Sequence, residues 1–132
     1  MANISAYLAK QMLDWVLGGA SATQPTSRLA ALASGVPTSI SASELSPGGE
    51  GYTRQTALFS AAASPAGSAS NTAGMTFGPF SSSRTVQGLV IFDTSAFTAG
   101  NMLWYGTLLT ARTVLPNDTL VVAAGGLIVT LS

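Results

Sequence analysis

Five carboxylates, Asp14, Glu44, Glu50, Asp93 and Asp118, carry whatever acid–base or metal chemistry this chain has, because histidine and cysteine are both absent. The missing imidazole removes the usual general base, the usual partner of a nucleophilic serine and the commonest zinc ligand. The missing thiol removes disulfides and thiolate metal sites. A glycosidase-type pair works with carboxylates alone, but they must be held about 5 to 9.5 Å apart. Here the acids are scattered singly, so only folding could gather such a pair. Neighbours such as Thr94 after Asp93 and Asn117 before Asp118 are those of turns and solvated surface. The expectation is a protein that is not an enzyme and holds no metal or cofactor.

Other motifs give way in the same manner. Gly48-Gly49-Glu50-Gly51 has the glycine density of a phosphate loop, yet no Lys-Ser or Lys-Thr follows it and no helix start faces it. It reads as a turn within the Ser46 to Gly51 stretch, where glycine tolerates positive φ. Lys10, Arg28, Arg54, Arg84 and Arg112 are spread singly and the net charge is zero, whereas phosphate backbones are held by clustered cations. No nucleic-acid partner is expected. Trp104-Tyr105 suggests a sugar-stacking platform, but successive strand residues face opposite sides, which favours core packing. Arg54, close to Tyr52, suits either an interface or a partner within the chain.

The elements that must position these residues begin with a helix. Ile4, Tyr7, Leu8, Met12, Trp15 and Val16 fall on one side of an α-helix, widened by Leu13 and Leu17, with Lys10 and Asp14 on the other. Asn3 or Ser5 can cap its start and Gly18-Gly19 can end it. From Ala20 to Pro47 the chain is small residues punctuated by Pro25, Pro37 and Pro47, with Arg28 to Ser34 the one candidate element: its alanines favour a helix, its shortness and flanking prolines a strand, and it is taken as a strand. Strands are then predicted over Tyr52 to Ala62, Met75 to Phe80, Val86 to Phe92 and Asn101 to Thr110, with a loop over Ser64 to Asn71 and a turn at Ser81 to Ser83. Val86, Val90 and Phe92 should share one face against Leu89 and Ile91. Met102, Trp104 and Leu108 should share one against Leu103, Tyr105 and Leu109. Thr119 to Ala123 and Leu127 to Leu131, joined through Ala124, Gly125 and Gly126, form the strongest hairpin signal.

The fold class is therefore mainly β, α+β by count: an antiparallel β-sandwich of six or seven short strands with one N-terminal amphipathic helix. The 132 residues make a single domain, read as a helix over 1–19, an arm and loops over 20–51, and a sandwich core over 52–132.

Composition then points to assembly. Apolar residues are 47% of the chain and charged ones only 8%, against roughly a quarter charged in average soluble proteins. Disorder requires the opposite composition, and no stretch approaches the 18 apolar residues of a membrane helix. Met1 to Leu17 lacks a basic start and contains Lys10 and Asp14, so no secretory signal is expected. A neutral, apolar surface is adhesive. Ile4, Tyr7, Leu8, Met12, Trp15, Val16 and Arg54 are the expected contacts in a homo-oligomer, a trimer being one form.

Tyr7 to Asp14 running into Gly18-Gly19, then Gly48 to Gln55, Ser70 to Phe77, Leu89 to Asp93, Gly100 to Gly106 and Asn117 to Leu120 occur in this order in a family of short tailed-phage proteins, commonly labelled tail fibre proteins, which the chain resembles along nearly its whole length. The resemblance implies a virion structural protein without catalysis, made in the host cytoplasm and carried on the outer surface of the particle. Its partners would be its own copies and the major capsid protein or other virion proteins. Capsid decoration is the leading reading, because a chain this short without heptad or collagen repeats cannot form a long shaft. A tail fibre or tip component that binds a host receptor or surface glycan is the alternative.

Overall fold

A computed structural model describes residues 2–46, 51–63 and 67–131. Its order is β1 (Ala2–Ile4), α1 (Ala6–Leu17), β2 (Leu29–Ala33), β3 (Gln55–Thr56), β4 (Ser68–Ser70), β5 (Met75–Phe77), β6 (Arg84–Phe92), β7 (Met102–Val114), β8 (Leu120–Val122) and β9 (Ile128–Thr130). Every strand pairing is antiparallel. The protein is mainly β with one short helix, as the strand patterning indicates.

A five-stranded sheet, β1-β7-β6-β2-β3, forms one layer, and two ribbons, β4-β9 and β5-β8, face it. Between the layers lies the main core, where Leu32, Ile91 and Leu103 from the sheet meet Met75 and Phe77 from the ribbons. The sheet's other face holds a smaller cluster of Ala31, Ala33, Val90, Phe92 and Met102, with Ala42 of the 34–46 loop packed on it. Burial on both faces explains why β6 reads as a nearly continuous apolar run.

The Arg28 to Ser34 segment is a strand, and all five residues of β2 are buried. Its alanines let covering chain approach closely on both sides. This revises the domain reading, in which 20–51 is an arm and the core begins at Tyr52: β2 pairs with both β6 and β3 inside the sheet. The predicted 46–51 turn lies mostly outside the described residues, since 47–50 are not among them.

Several pairings differ from the expectation. The predicted hairpin of 119–131 does not form; β8 pairs with β5 and β9 with β4. Met75 pairs with Val122 and Ser70 with Ile128, so 68–77 and 120–130 run as one long ribbon interrupted once. Asn71 clasps the interruption. Its amide nitrogen donates to the carbonyls of Ala73 and Ala123, each at 2.9 Å, and its amide oxygen accepts from the Leu127 N–H at 2.8 Å. The predicted 64–71 loop thus contains β4, and of the predicted 52–62 strand only Gln55–Thr56 is regular. Tyr52 and Arg54 are drawn into buried polar bonds instead.

Register breaks reassign faces as well. Leu103 is an extra residue on β7 between the Ile91–Trp104 and Phe92–Met102 pairs. Such a bulge shifts the alternation by one, so Met102 joins one cluster with Tyr105 packed on it, while Leu103 joins the other with Trp104 packed on it. A larger break sets Leu108 to Ala111 against Gln87 alone, and Val86 accordingly falls with Ile91, not with Val90 and Phe92. Leu109, on this protruding stretch, is fully exposed.

Candidate functional site

Ser5 decides how the helix sits. Its hydroxyl oxygen accepts from the Leu8 N–H at 3.1 Å, capping α1, while its hydroxyl donates to the Met102 carbonyl and its N–H to the Leu103 carbonyl at 3.0 Å. One buried side chain therefore starts the helix and ties it to β7. Gly18 ends the helix in the left-handed region at φ 77°, its N–H donating to the Asp14 carbonyl.

So anchored, α1 turns Leu8 toward the main core, with Met12 half-buried and Trp15 on the lip of a shallow cleft walled by Ala22 to Pro25. Its opposite side is bare. Leu13, Val16 and Leu17 are 60%, 66% and 77% exposed, and no residue of the helix is fully buried. Lys10 and Asp14 pair along the same helix at 2.5 Å, and the bond and charge of Asp14 raise the Lys10 ammonium pKa.

The residues expected at an assembly interface are thus divided. Ile4 is not helical; it lies on β1 opposite Trp104 and is half-buried. Leu8 and Met12 are largely spent on the protein's own body, whereas Tyr7, Trp15 and Val16 are exposed. Arg54 is turned inward. Its Nη2 and Nε meet the Glu44 carboxylate at 2.7 and 2.9 Å, its Nη1 donates to the Thr94 and Ala99 carbonyls, and its guanidinium lies 3.7 Å from the centre of the Phe92 ring. Tyr52 completes the network: its hydroxyl donates to Glu44 at 3.0 Å and accepts from the Leu32 N–H at 2.9 Å. Burial, then the charge of Glu44, pushes the phenol well above its ordinary value of 10.0.

Every carboxylate among the described residues has such a structural task. Asp93 accepts from Asn101 and Asp118 from the Leu115 N–H, closing turns. Among the described residues no three acidic side chains gather as a metal site would require, and no helix is long and apolar enough to cross a membrane. What is concentrated on the surface is apolar: Ile40, Leu58, Leu115, Val121, Ile128 and Leu131 add to the helix and Leu109. A cleft of about 400 Å³ between sheet and ribbon is lined by Phe59, Ile91, Leu103, Trp104, Val129 and Leu131.

A family model described as podophage GP4 fiber I protein gp80 matches residues 3–130. The chain belongs to this family of podophage fibre proteins. Comparison with curated proteins gives no match. Membership in the gp80 family makes the chain a component of the phage particle with a structural role. The match runs through both sheet and ribbons, from β1 to β9, so the family corresponds to the whole fold described above.

Sequence reasoning missed the outward helix face. Leu13 and Leu17 were legible only as a widening of the stripe, of which Leu8 and Met12 alone turn toward the body, because periodicity does not say which part of a broad apolar stripe is covered. Ile40 carries no periodic signal, and Leu109, expected on a face with Leu103 and Tyr105, is fully exposed.

Proposed function

We propose that this protein is a non-enzymatic subunit of the fibre apparatus on the outer surface of the particle, held there by contacts with copies of itself and with other virion proteins. The observation that carries the reading is the gp80-family match over 3–130, in a family described by its fibre protein. The surface supports it: a neutral chain with this many exposed large apolar side chains gains by covering them in an assembly. The described acids are committed to local bonds, which favours a role without catalysis.

The chain's shortness favours a second reading, decoration of the capsid shell, since no shaft-forming repeat is present. Labelling purified particles with gold-conjugated antibody to this chain separates the two. Label at the fibres supports the proposal; label distributed over the head supports decoration; virions without the chain overturn both. A glycan array on the purified protein tests the host-binding role of a fibre, and the exposed Phe97 is the aromatic residue to replace if a sugar binds.

A further inference from the structure

The cleft between the sheet and the β4–β9 ribbon is lined unevenly. The sheet contributes bulk: Ile91 and Trp104 are paired across β6 and β7, and Leu103 bulges beside them. Elsewhere the lining includes the small residues Ala62, Gly67 and Ala69, the last opposite Val129 of β9. Small residues where two layers meet leave about 400 Å³ open, whereas a close-packed core leaves few voids larger than a water molecule. That volume falls in the range of small-molecule sites, about 300 to 1,000 Å³.

The polar side chains of the lining are of one kind. Among the described residues that line the cleft, Arg28 alone is charged, and besides it only the Trp104 indole N–H adds a polar side-chain group. Both donate hydrogen bonds and neither accepts. Arg28 is half-buried just before β2, held there by its carbonyl, which accepts from the Ala57 N–H at 2.8 Å. Its Nη1 donates to the Pro25 carbonyl at 3.1 Å, but no carboxylate among the described residues pairs with it, whereas Lys10 and Arg54 each hold one. A cation partly withdrawn from water beside an apolar cleft, with no acid to balance it, is complementary to an anion.

We propose that this cleft binds a single acyl chain whose carboxylate pairs with the Arg28 guanidinium. The apolar lining takes the hydrocarbon. The donor-only polar groups select a carboxylate, which only accepts, over an alcohol or an amine, which brings a proton of its own. This binding is additional to the assembly role and does not rest on it.

Trp104 supplies the readout. In Trp15→Phe, which removes the chain's other and exposed indole, decanoate kept below its micellar concentration should change the tryptophan emission saturably. Decanol, the same chain uncharged, should bind at least tenfold more weakly, and acetate should not bind. Octanoate should bind roughly tenfold more weakly than decanoate, through the loss of two buried methylene groups. Added to the same background, Arg28→Gln should weaken decanoate at least tenfold and leave decanol unchanged, while Arg28→Lys keeps the charge and part of the affinity. Should Arg28→Gln fail to fold, judged by circular dichroism, the decanoate-to-decanol ratio in the unaltered cleft still decides. No change in emission, equal affinity for decanoate and decanol, or indifference of a folded Arg28→Gln would overturn the site. So would emission that responds to phosphatidylglycerol vesicles and not to dispersed decanoate, which marks a membrane-facing surface instead. Antibody labelling of particles reads the fibre assignment separately, so either can fail while the other stands.

Discussion

The Arg54 guanidinium and the Glu44 carboxylate form a two-point ion pair, at 2.7 and 2.9 Å, with side chains only 2% and 7% exposed. Because the same guanidinium holds the Thr94 and Ala99 carbonyls, the pair joins the segment after β2, the segment before β3 and the 94–99 loop at one point. Removing one member leaves the other charged and buried, which costs about 3 to 5 kcal/mol. Glu44→Ala should therefore unfold at markedly lower urea. Arg54→Lys should be nearly as damaging, since an ammonium cannot reproduce the fork.

Tyr52 gives this network a pH signature. Its phenol is raised above 10.0 in the folded chain. Below that value both folded and unfolded states keep the proton and stability does not depend on it. Above it the unfolded state loses the proton first, so stability falls as pH climbs from about 10. Thermal melts between pH 9 and 11.5 should show a steeper decline for the wild type than for Tyr52→Phe. An equal decline in both would refute the link. At neutral pH Tyr52→Phe should itself cost about 1 to 3 kcal/mol, because Glu44 and the Leu32 N–H lose a buried partner.

Asn71→Asp should be worse than its near-identical shape suggests. The amide nitrogen is the donor to two carbonyls, and a carboxylate in its place faces both with no proton to give. A loss of several kcal/mol is expected, about 1 to 3 for each abandoned buried group, read as a lower urea midpoint. Asn71→Gln, too long for the clasp, should also lose stability.

Gly88 and Leu109 bound the tolerance of the β6–β7 region. A Cβ on Gly88 would lie 2.7 Å from the Gly106 carbonyl oxygen and 2.7 Å from Pro37, so Gly88→Ala should cost about 1 to 3 kcal/mol by overpacking. Leu109→Ser, on the fully exposed protrusion, should shift stability by no more than about 0.5 kcal/mol. Paired melts of the two variants check both statements.

How much of this was legible in the sequence varies with the kind of information needed. Local signals carried the helix caps at Ser5 and Gly18 and the doubly buried β6, because each depends on residues close in sequence, whereas over Arg28 to Ser34 they were divided between helix and strand and pairing with β6 decides. The hairpin of 119–131 failed because short, apolar neighbouring runs pair equally well with distant partners, and the Asn71 clasp that selects the distant ones is invisible until folding brings 71 to 123 and 127. Side-chain faces on β7 failed at Leu103 because a bulge leaves no mark on alternation until the partner strand is known. Arg54 was read as either an interface residue or an internal one, and the acceptor that decides, Glu44, lies in a stretch with no regular pattern. The bare side of α1 stayed hidden for a related reason: the bonds from Ser5 to β7, not periodicity, orient the helix.

The Ser5 hydroxyl bond joins positions 97 apart in the chain, and among the described residues β1 likewise pairs only with β7. β1 therefore has nowhere to lie until Trp104 to Gly106, the residues of β7 with which it pairs, have been made. Contacts of such long separation make folding slow. They also impose an order on events: the helix can be oriented only once Met102 and Leu103 have been made and lie in β7.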